Sequence, residues 1–283
     1  MIWINIIDYR GDQTVINSRG ENLFDYRTRY FVRQQQDFAK WKQFGHKFRC
    51  FTQHEDDNFD QFDHVVKIPR GNCQLSRNHV LDYYKPGTWI GLWDNDATLY
   101  WNKLQSDQLP RLWADLEQAL EKEGIISMIP FNSQQTPYPK TLNHLWTFIP
   151  KLEQKGTMMF VKTHDLRYDT NMTALSDLEL ACRLTLAGHK LAQCQNISLN
   201  EIVNGKSTIF TVHAYHEQYK KPGSLANPKG LLKWDAQIDR NQRYKQMITY
   251  IEQKLNYSIQ ELKRKQAGLW TKNCFDQLFT FSD

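Results

Sequence analysis

Two carboxylates stand two positions apart, directly after a short apolar stretch of the sequence. Residues 89–93 read WIGLW, which predicts a buried strand, and Asp94, Asn95 and Asp96 follow at once. Carboxylate oxygens are the ligands that Mg²⁺ and Mn²⁺ prefer, and two of them at one turn can reach the same cation. An Asx-type turn after a strand is the alternative interpretation. The pair is therefore a candidate metal site whose position in the fold matters.

The surrounding pattern predicts an α/β fold that places this pair at a sheet edge. Strand and helical patterns alternate in the first third of the chain, at residues 1–7, 24–44, 48–52, 64–68, 75–84 and 89–93. Such alternation is typical of a mostly parallel, doubly wound sheet, which binds ligands outside the carboxyl ends of its strands. Further along, helical patterns occupy 109–122, 175–187 and 234–265, strand patterns occupy 125–130, 158–161 and 208–212, and residues 132–150 predict a long loop.

Residues 75–100, LSRNHVLDYYKPGTWIGLWDNDATLY, resemble the GT-A glycosyltransferases, in which a helix opening with Arg-Asn precedes the strand that carries Asp-x-Asp. The resemblance implies a GT-A, Rossmann-like, mostly parallel twisted sheet flanked by helices. It also implies that Arg77 holds the nucleotide or its diphosphate, with Asn78 nearby, and that Asp94 and Asp96 hold the ribose and the metal. A guanidinium suits phosphate geometrically, although an ordinary surface ion pair is the alternative for Arg77.

A second segment, residues 176–190 (SDLELACRLTLAGHK), resembles the acceptor-side helix of the same family. The resemblance implies that Asp177 is the catalytic base or a ligand of a sugar hydroxyl, and that Glu179 supports it. Ser176 stands where many relatives have Glu, which leaves the division of labour between Asp177 and Glu179 open. The alternative for Asp177 is an acid stabilised by the N-terminus of its helix.

Further candidate positions follow from the resemblance. The family often supplies a late histidine to the metal, which makes His213, or less favourably His216, a candidate ligand, and an imidazole ligand favours Mn²⁺ over Mg²⁺. In relatives the end of the first strand holds the base and ribose, so Asp8, Tyr9 and Arg10 are candidate donor-binding residues. The implied cofactors are Mn²⁺ or Mg²⁺ and a UDP-sugar.

The net charge of +5 is concentrated near the C-terminus. Residues 218–266 contain eleven Lys or Arg against four Asp or Glu, so the rest of the chain is close to neutral. We expect a GT-A domain at 1–217 and a basic helical extension, 218–283, packed on it. This basic region and the aromatic content are similar to phage enzymes that glycosylate 5-hydroxymethylcytosine in DNA. The resemblance implies a double-stranded DNA acceptor and a glucose or arabinose donor.

Other features narrow the cellular context. The five cysteines are scattered and form no Cys-x-x-Cys pair, which argues against a disulfide framework and a structural zinc site. No signal peptide and no membrane-spanning stretch is evident, so we expect a soluble protein of the cytoplasm, or of the host cytoplasm if phage-encoded. The sugar, the anomeric stereochemistry and the oligomeric state do not follow from the sequence.

Two other functions are compatible with the same residues. A GT-A transferase that acts on lipopolysaccharide, another glycan or a protein would share the donor half of the site. From a different class, a non-catalytic nucleic-acid-binding protein on an α/β scaffold would account for the basic C-terminal region. Metal-dependent release of a nucleoside diphosphate from a sugar nucleotide separates the enzymes from the binding protein.

Asp94→Asn and Asp96→Asn should each lower turnover by orders of magnitude and leave the melting temperature nearly unchanged, because a neutral amide holds a divalent cation poorly. Steady-state kinetics with Mn²⁺ and thermal melts of both variants check this. Unaltered turnover in both variants would remove the metal assignment.

Overall fold

The computed structural model describes residues 3–8, 10, 22–55, 59–95, 97–101, 109–132, 146–154, 158–172, 175–201 and 240–274. Within these residues the strands are β1 Trp3–Asp8, β2 Lys47–Thr52, β3 His64–Lys67, β4 Trp89–Asp94, β5 Ala97–Trp101, β6 Ile125–Asn132, β7 Phe148–Pro150, β8 Met158–Lys162 and β9 Lys190–Glu201. The helices are α1 Leu23–Gln35, α2 Phe38–Lys42, α3 Cys73–Tyr83, α4 Leu109–Glu123, α5 Ser176–Leu186, α6 Arg240–Leu255 and α7 Ile259–Cys274.

The strands form one mixed sheet in the order β3-β2-β1-β4-β8-β6-β9-β5, with β7 also paired to β9. Pairing is parallel throughout β3, β2, β1 and β4 and between β6 and β9. The other pairings are antiparallel, since β8 runs against both β4 and β6, and β9 runs against β5 and β7. The expected α/β sheet flanked by helices is confirmed, and its parallel part is the N-terminal half that carries β1 and β4.

Alternate residues of β1 and β4 supply two separate hydrophobic clusters. Ile6 and Trp93 belong to one cluster, whereas Ile7 and Leu92 belong to the other. Since neighbouring side chains of a strand point to opposite faces, the two clusters lie on the two faces of the sheet. The first cluster takes side chains from α1, α2 and α4, and the second from α3, α5 and α6.

Tryptophan accounts for much of the first cluster. Trp41, Trp93 and Trp113 meet edge to face with ring centroids 5.4–5.9 Å apart, and Trp113 also contacts Phe160 at 5.3 Å. Such edge-to-face contacts add to the free energy gained from area burial. These aromatic rings are therefore core residues.

The C-terminal helices are part of the same body. Ile251 of α6 and Leu262 of α7 lie in the second cluster, while Trp270 lies in the first. A Ser258-x-x-Glu261 capping box starts α7, because Ser258 Oγ accepts from Glu261 N at 3.2 Å and Glu261 Oε2 accepts from Ser258 N at 2.7 Å. The division of the chain after residue 217 lies outside the described residues and stays a prediction.

Several sequence expectations differ from the structure. The expected long loop at 132–150 ends in strand β7, and the expected strand at 208–212 lies outside the described residues. In the described part of the chain, no helix has the length and hydropathy needed to cross a bilayer.

Phe38→Ala should lower the free energy of unfolding by about 3–5 kcal/mol, because a fully buried ring is removed and a cavity remains. Phe38 is 1% exposed, and its ring stacks on Phe48 with centroids 3.8 Å apart. Phe44→Ala is the matched control, since Phe44 is 41% exposed and its loss should cost no more than about 0.5 kcal/mol. Urea unfolding compares them, and equal losses would contradict this description of the core.

Candidate functional site

The site begins where β1 and β4 end side by side. Ile7 of β1 lies opposite Asp94 of β4, so Asp8 and Asp94 emerge at the same edge of the sheet. Asn95 follows Asp94 and donates to Asp8 Oδ1 at 3.4 Å, and Gln34 of α1 donates to the main-chain oxygen of Asp94 at 3.0 Å. This is the carboxyl edge of the parallel strands, where ligands of α/β sheets bind.

Asp8 is engaged in a buried ion pair. Both of its oxygens accept from Arg10 at 2.7 Å, both side chains are fully buried, and Thr52 Oγ1 donates to Asp8 Oδ2 at 2.6 Å. The Arg10 guanidinium also lies 4.7 Å from the Phe24 ring centroid and 5.0 Å from that of Phe31. Asp8 and Arg10 are thus brought together by the structure, but as a bidentate pair inside the protein.

The Arg77 side chain of α3 contacts the carboxylates of both Asp94 and Asp177. Its Nη1 donates to Asp177 Oδ1 at 2.7 Å, and its Nη2 donates to Asp94 Oδ1 at 3.2 Å and to Oδ2 at 3.4 Å. The Arg77 side chain is only 6% exposed, whereas Asp94 and Asp177 are 28% and 22% exposed. The buried cation therefore orients two acids that can still be reached from solvent.

The electrostatics of this corner keep Arg77 charged and keep the neighbouring Cys73 thiol and Tyr168 hydroxyl neutral. Burial disfavours the guanidinium charge, but Asp177 and then Asp94 oppose this, so the pKa of Arg77 is raised well above its usual value. Burial raises the pKa of the nearby Cys73 thiol to about 12. Burial, followed by the charge of Asp177, also raises the pKa of Tyr168 well above its usual value. Neither Cys73 nor Tyr168 is thus an anion at neutral pH.

Other side chains of α3 hold the segment that leads into α5. The Asn78 amide accepts from Tyr168 N at 2.7 Å and donates to Tyr168 O at 2.9 Å. Gln74 Nε2 donates to Ser176 Oγ at 3.1 Å. The Asn78 amide thus uses both its nitrogen and its oxygen on the main chain of Tyr168. In this structure Asn78 fixes the segment before α5.

Helix α5 starts with an unusual residue. Leu175 precedes it with φ 58° and ψ 20°, a left-handed conformation that is uncommon for a residue with a branched side chain, and no side chain caps the helix. Asp177 lies in the first turn, where the helix N-terminus stabilises negative charge. The placement of Asp177 thus depends on contacts outside its own helix.

Glu179 lies on a different side of α5. It is fully buried and accepts from Arg183 Nε and Nη2, both at 2.8 Å, and from Lys254 Nζ at 2.8 Å. The structure therefore separates the two candidate catalytic acids, since Asp177 faces Arg77 while Glu179 faces α6. Lys254 was not predicted from the sequence, because no local motif marks it. Of the ion pairs made by Glu179, only the one with Arg183 is predicted, by the spacing of four residues.

A cavity of about 10 Å³ lies next to Asp177 and is lined mainly by apolar side chains together with His164 and Tyr168. This volume admits one water molecule at most, so the cavity itself is too small for a sugar or a nucleotide. Burial, with help from Arg167 and His189, lowers the pKa of His164 to about 4. His164 is therefore neutral at pH 7 and does not add a positive charge behind Asp177.

The described residues do not by themselves form a metal site. Among them, no group of three or more His, Cys, Asp or Glu side chains could hold an ion. Asp94 fits a hard cation in chemistry and exposure, and its contacts with Arg77, at 3.2–3.4 Å, are longer than those of Asp177. Asp96, His213, His216 and the donor candidate Tyr9 lie outside the described residues.

Comparison with known proteins finds structural likeness alone. No protein-family model and no curated protein sequence matches the chain. Among solved structures, TarS of S. aureus, residues 1–349, aligns with a TM-score of 0.47 and 7% identity, covering 100% of this chain and 93% of that chain. GalNAc-T7, crystallised with UDP, GalNAc and Mn²⁺, aligns with a TM-score of 0.45 and 9% identity, covering 99% of this chain and 57% of that chain. Similarity at this level does not establish a family or an activity.

Arg77→Met should lower the free energy of unfolding by about 2–4 kcal/mol, because two partly buried carboxylates then face each other without a cation. Arg33→Met is the control, since Arg33 is exposed on α1 and the same change there should cost at most about 0.5 kcal/mol. Urea unfolding at pH 7 measures both. A loss at position 77 no larger than that at position 33 would show that Arg77 does not stabilise the corner.

Proposed function

We propose that this chain is a metal-dependent glycosyltransferase of the GT-A type that moves a sugar of the glucose or arabinose class from a UDP-sugar to a hydroxyl acceptor. One observation carries the proposal: a single buried guanidinium, Arg77, joins Asp94 at the end of β4 to Asp177 at the start of α5. These two acids belong to separate segments of the sequence, each of which resembles this family independently. Their meeting at one corner is what a donor site facing an acceptor site requires.

The donor half is assigned to Asp94, together with Asp96 and His213. Asp94 is partly exposed at the carboxyl edge of β1 and β4, the edge at which ligands of α/β sheets bind. These residues would hold Mn²⁺ or Mg²⁺, and such an ion, when bound, neutralises charge on the departing diphosphate. Asp94 also remains a candidate for the ribose.

The acceptor half is assigned to Asp177. Its carboxylate is partly exposed, lies in the first turn of α5, and is oriented by Arg77 at 2.7 Å. In this position it accepts a hydrogen bond from the attacking hydroxyl and takes or guides its proton. Glu179 is fully buried behind it, so we assign Glu179 a supporting role and Asp177 the contact with substrate.

The remaining candidates support this corner. Both terminal nitrogens of Arg77 donate to carboxylates, so a direct contact with the diphosphate would require Arg77 to exchange one acid for a phosphate oxygen. Asn78 holds the main chain of Tyr168, and the Asp8–Arg10 pair fixes the end of β1. We therefore assign these residues the role of positioning the groups that bind the donor and the acceptor. Tyr9 remains a candidate ligand of the base and ribose.

Asp177→Ala should retain donor binding but lose transfer by at least about 100-fold, because the group that orients the attacking hydroxyl is removed. Calorimetric titration with UDP and Mn²⁺ measures donor binding, and UDP release from UDP-glucose and UDP-arabinose measures turnover. Asp82→Ala is the control, since Asp82 is an exposed aspartate of α3 that pairs with Arg167 and not with Arg77.

Full transfer by Asp177→Ala would refute the catalytic role of Asp177. Absence of Mn²⁺-dependent UDP release from any common sugar nucleotide by the unaltered protein would instead favour a non-catalytic nucleic-acid-binding protein.

For the acceptor we propose 5-hydroxymethylcytosine in phage DNA. The support is the surplus of positive charge at 218–266. In the described part of this segment, Arg264 and Lys265 are exposed on α7, while Lys263 pairs with Glu153 at 2.6 Å. Exposed cations of this kind bind phosphates in a salt-dependent manner, and an enzyme of this kind reaches its hydroxyl in the major groove or after flipping the base.

Replacing the three cations at 263–265 with glutamine should weaken binding to duplex DNA and reduce the slope of log affinity against log salt by about 2–3, because each phosphate contact contributes about 0.9. Gel shifts between 50 and 200 mM salt measure the slope. An unchanged slope would leave lipopolysaccharide, another glycan or a protein as the acceptor, and liposome flotation then tests lipid-linked acceptors.

A further inference from the structure

Lys254 of α6 reaches two carboxylates that belong to different parts of the chain. Its Nζ donates to Asp169 Oδ2 at 2.6 Å and to Glu179 Oε1 at 2.8 Å. Glu179 is fully buried and Asp169 is largely buried, whereas the Lys254 side chain is 32% exposed. A C-terminal helix is thereby tied both to α5 and to the segment that precedes it.

The charges of this cluster balance. Asp169 and Glu179 are offset by Arg183 and Lys254, so the four formal charges sum to zero. Burial lowers the pKa of Lys254, but hydrogen bonds to Asp169 and Glu179 raise it overall, which keeps this lysine charged. Without Lys254 the cluster carries an uncompensated negative charge beside a buried carboxylate, which is costly in a protein interior.

The segment before α5 is held from the opposite side by α3. Asn72 Nδ2 donates to Thr170 O at 2.8 Å, and Asn78 bonds both main-chain groups of Tyr168. Asp169 lies between these two anchored residues. Residues 168–170, which precede Asp177 in the chain, are therefore held both by contacts from the region of α3 and by Lys254.

The start of α5 has no cap of its own that could replace these contacts. Leu175 is left-handed and offers no capping side chain, so the orientation of the first turn is set by its neighbours. Asp177 and Glu179 are two residues apart on this rigid element. A shift of Glu179 thus shifts Asp177 relative to Arg77 and Asp94.

We infer that Lys254 is a positioning residue for the proposed transfer reaction, holding the first turn of α5 so that Asp177 faces Arg77 and Asp94. The inference rests on the proposed function for its catalytic consequence. The ion-pair partners of Lys254 are Glu179 and Asp169. Lys254 therefore acts on the position of Asp177 through these two residues. The C-terminal helices are in this view a part of the active site's support.

Lys254→Met should lower kcat for UDP release about tenfold and leave KM for the UDP-sugar within twofold, because small displacements of a reacting group lower the rate without changing donor contacts. Lys254→Arg should restore at least half of the activity, since it replaces the charge and the donors. Lys162→Met is the matched control. Lys162 is also 32% exposed and pairs with Glu121 at 2.7 Å, and it lies opposite Trp89, at the other end of β4 from Asp94.

Hydrogen exchange of the amides at 179–182, the first of α5 with acceptors in the preceding turn, supplies a second readout that needs no activity. It should be faster in Lys254→Met than in the unaltered protein and unchanged in Lys162→Met. Should Lys254→Met not fold, Asp169→Asn, which removes one of the two contacts, takes its place in both assays.

Unchanged kcat in a folded Lys254→Met protein, or an equal loss in Lys162→Met, would overturn the inference. An unaltered protein that releases no UDP would instead contradict the proposed function. Hydrogen exchange still decides the link in that case, because unchanged exchange at 179–182 would show that Lys254 does not hold α5.

Discussion

The structure depends on one buried cation that two acids share. Arg77 is nearly inaccessible, yet its two terminal nitrogens reach Asp94 and Asp177, which lie on elements far apart in the chain. A buried guanidinium is stable only when its charge is compensated, so the fold has to bring carboxylates to it. The same requirement fixes β4 and α5 relative to each other and leaves the outer face of both acids open to solvent.

Further contacts around Arg77 hold the neighbouring elements of the site in place. The Asp8–Arg10 pair and Thr52 fix the end of β1, which in turn holds Asn95 and the turn after β4. Asn78 fixes the main chain at Tyr168. Such contacts restrict the rotamers of the groups that meet a ligand, which is how a protein prepares a site before the ligand arrives.

The sequence was sufficient for the parallel half of the sheet and for the position of Asp94 at its edge. Apolar runs bounded by turn residues marked β1, β2, β3 and β4, and Asp94 follows directly from the end of β4. Strand β9 was not foreseen, because its polar residues, Gln193 and Gln195 among them, hide the period of a strand that is paired on both sides.

The partners of individual side chains were beyond sequence reasoning. Asp8 and Arg10 were expected to face a nucleotide, but their spacing is equally compatible with the bidentate pair that the structure contains. Lys254 lies 75 positions from Glu179, and no local pattern connects them. Which of two acids on one helix faces the site also depends on tertiary packing, since Asp177 and Glu179 are alike in sequence terms.

The left-handed Leu175 has a consequence for heat resistance. Such a backbone conformation in a residue other than glycine costs about 1 kcal/mol or more and persists only while the surrounding contacts enforce it. Local opening of the start of α5 releases this strain, so we expect this turn to open on warming before the sheet unfolds cooperatively.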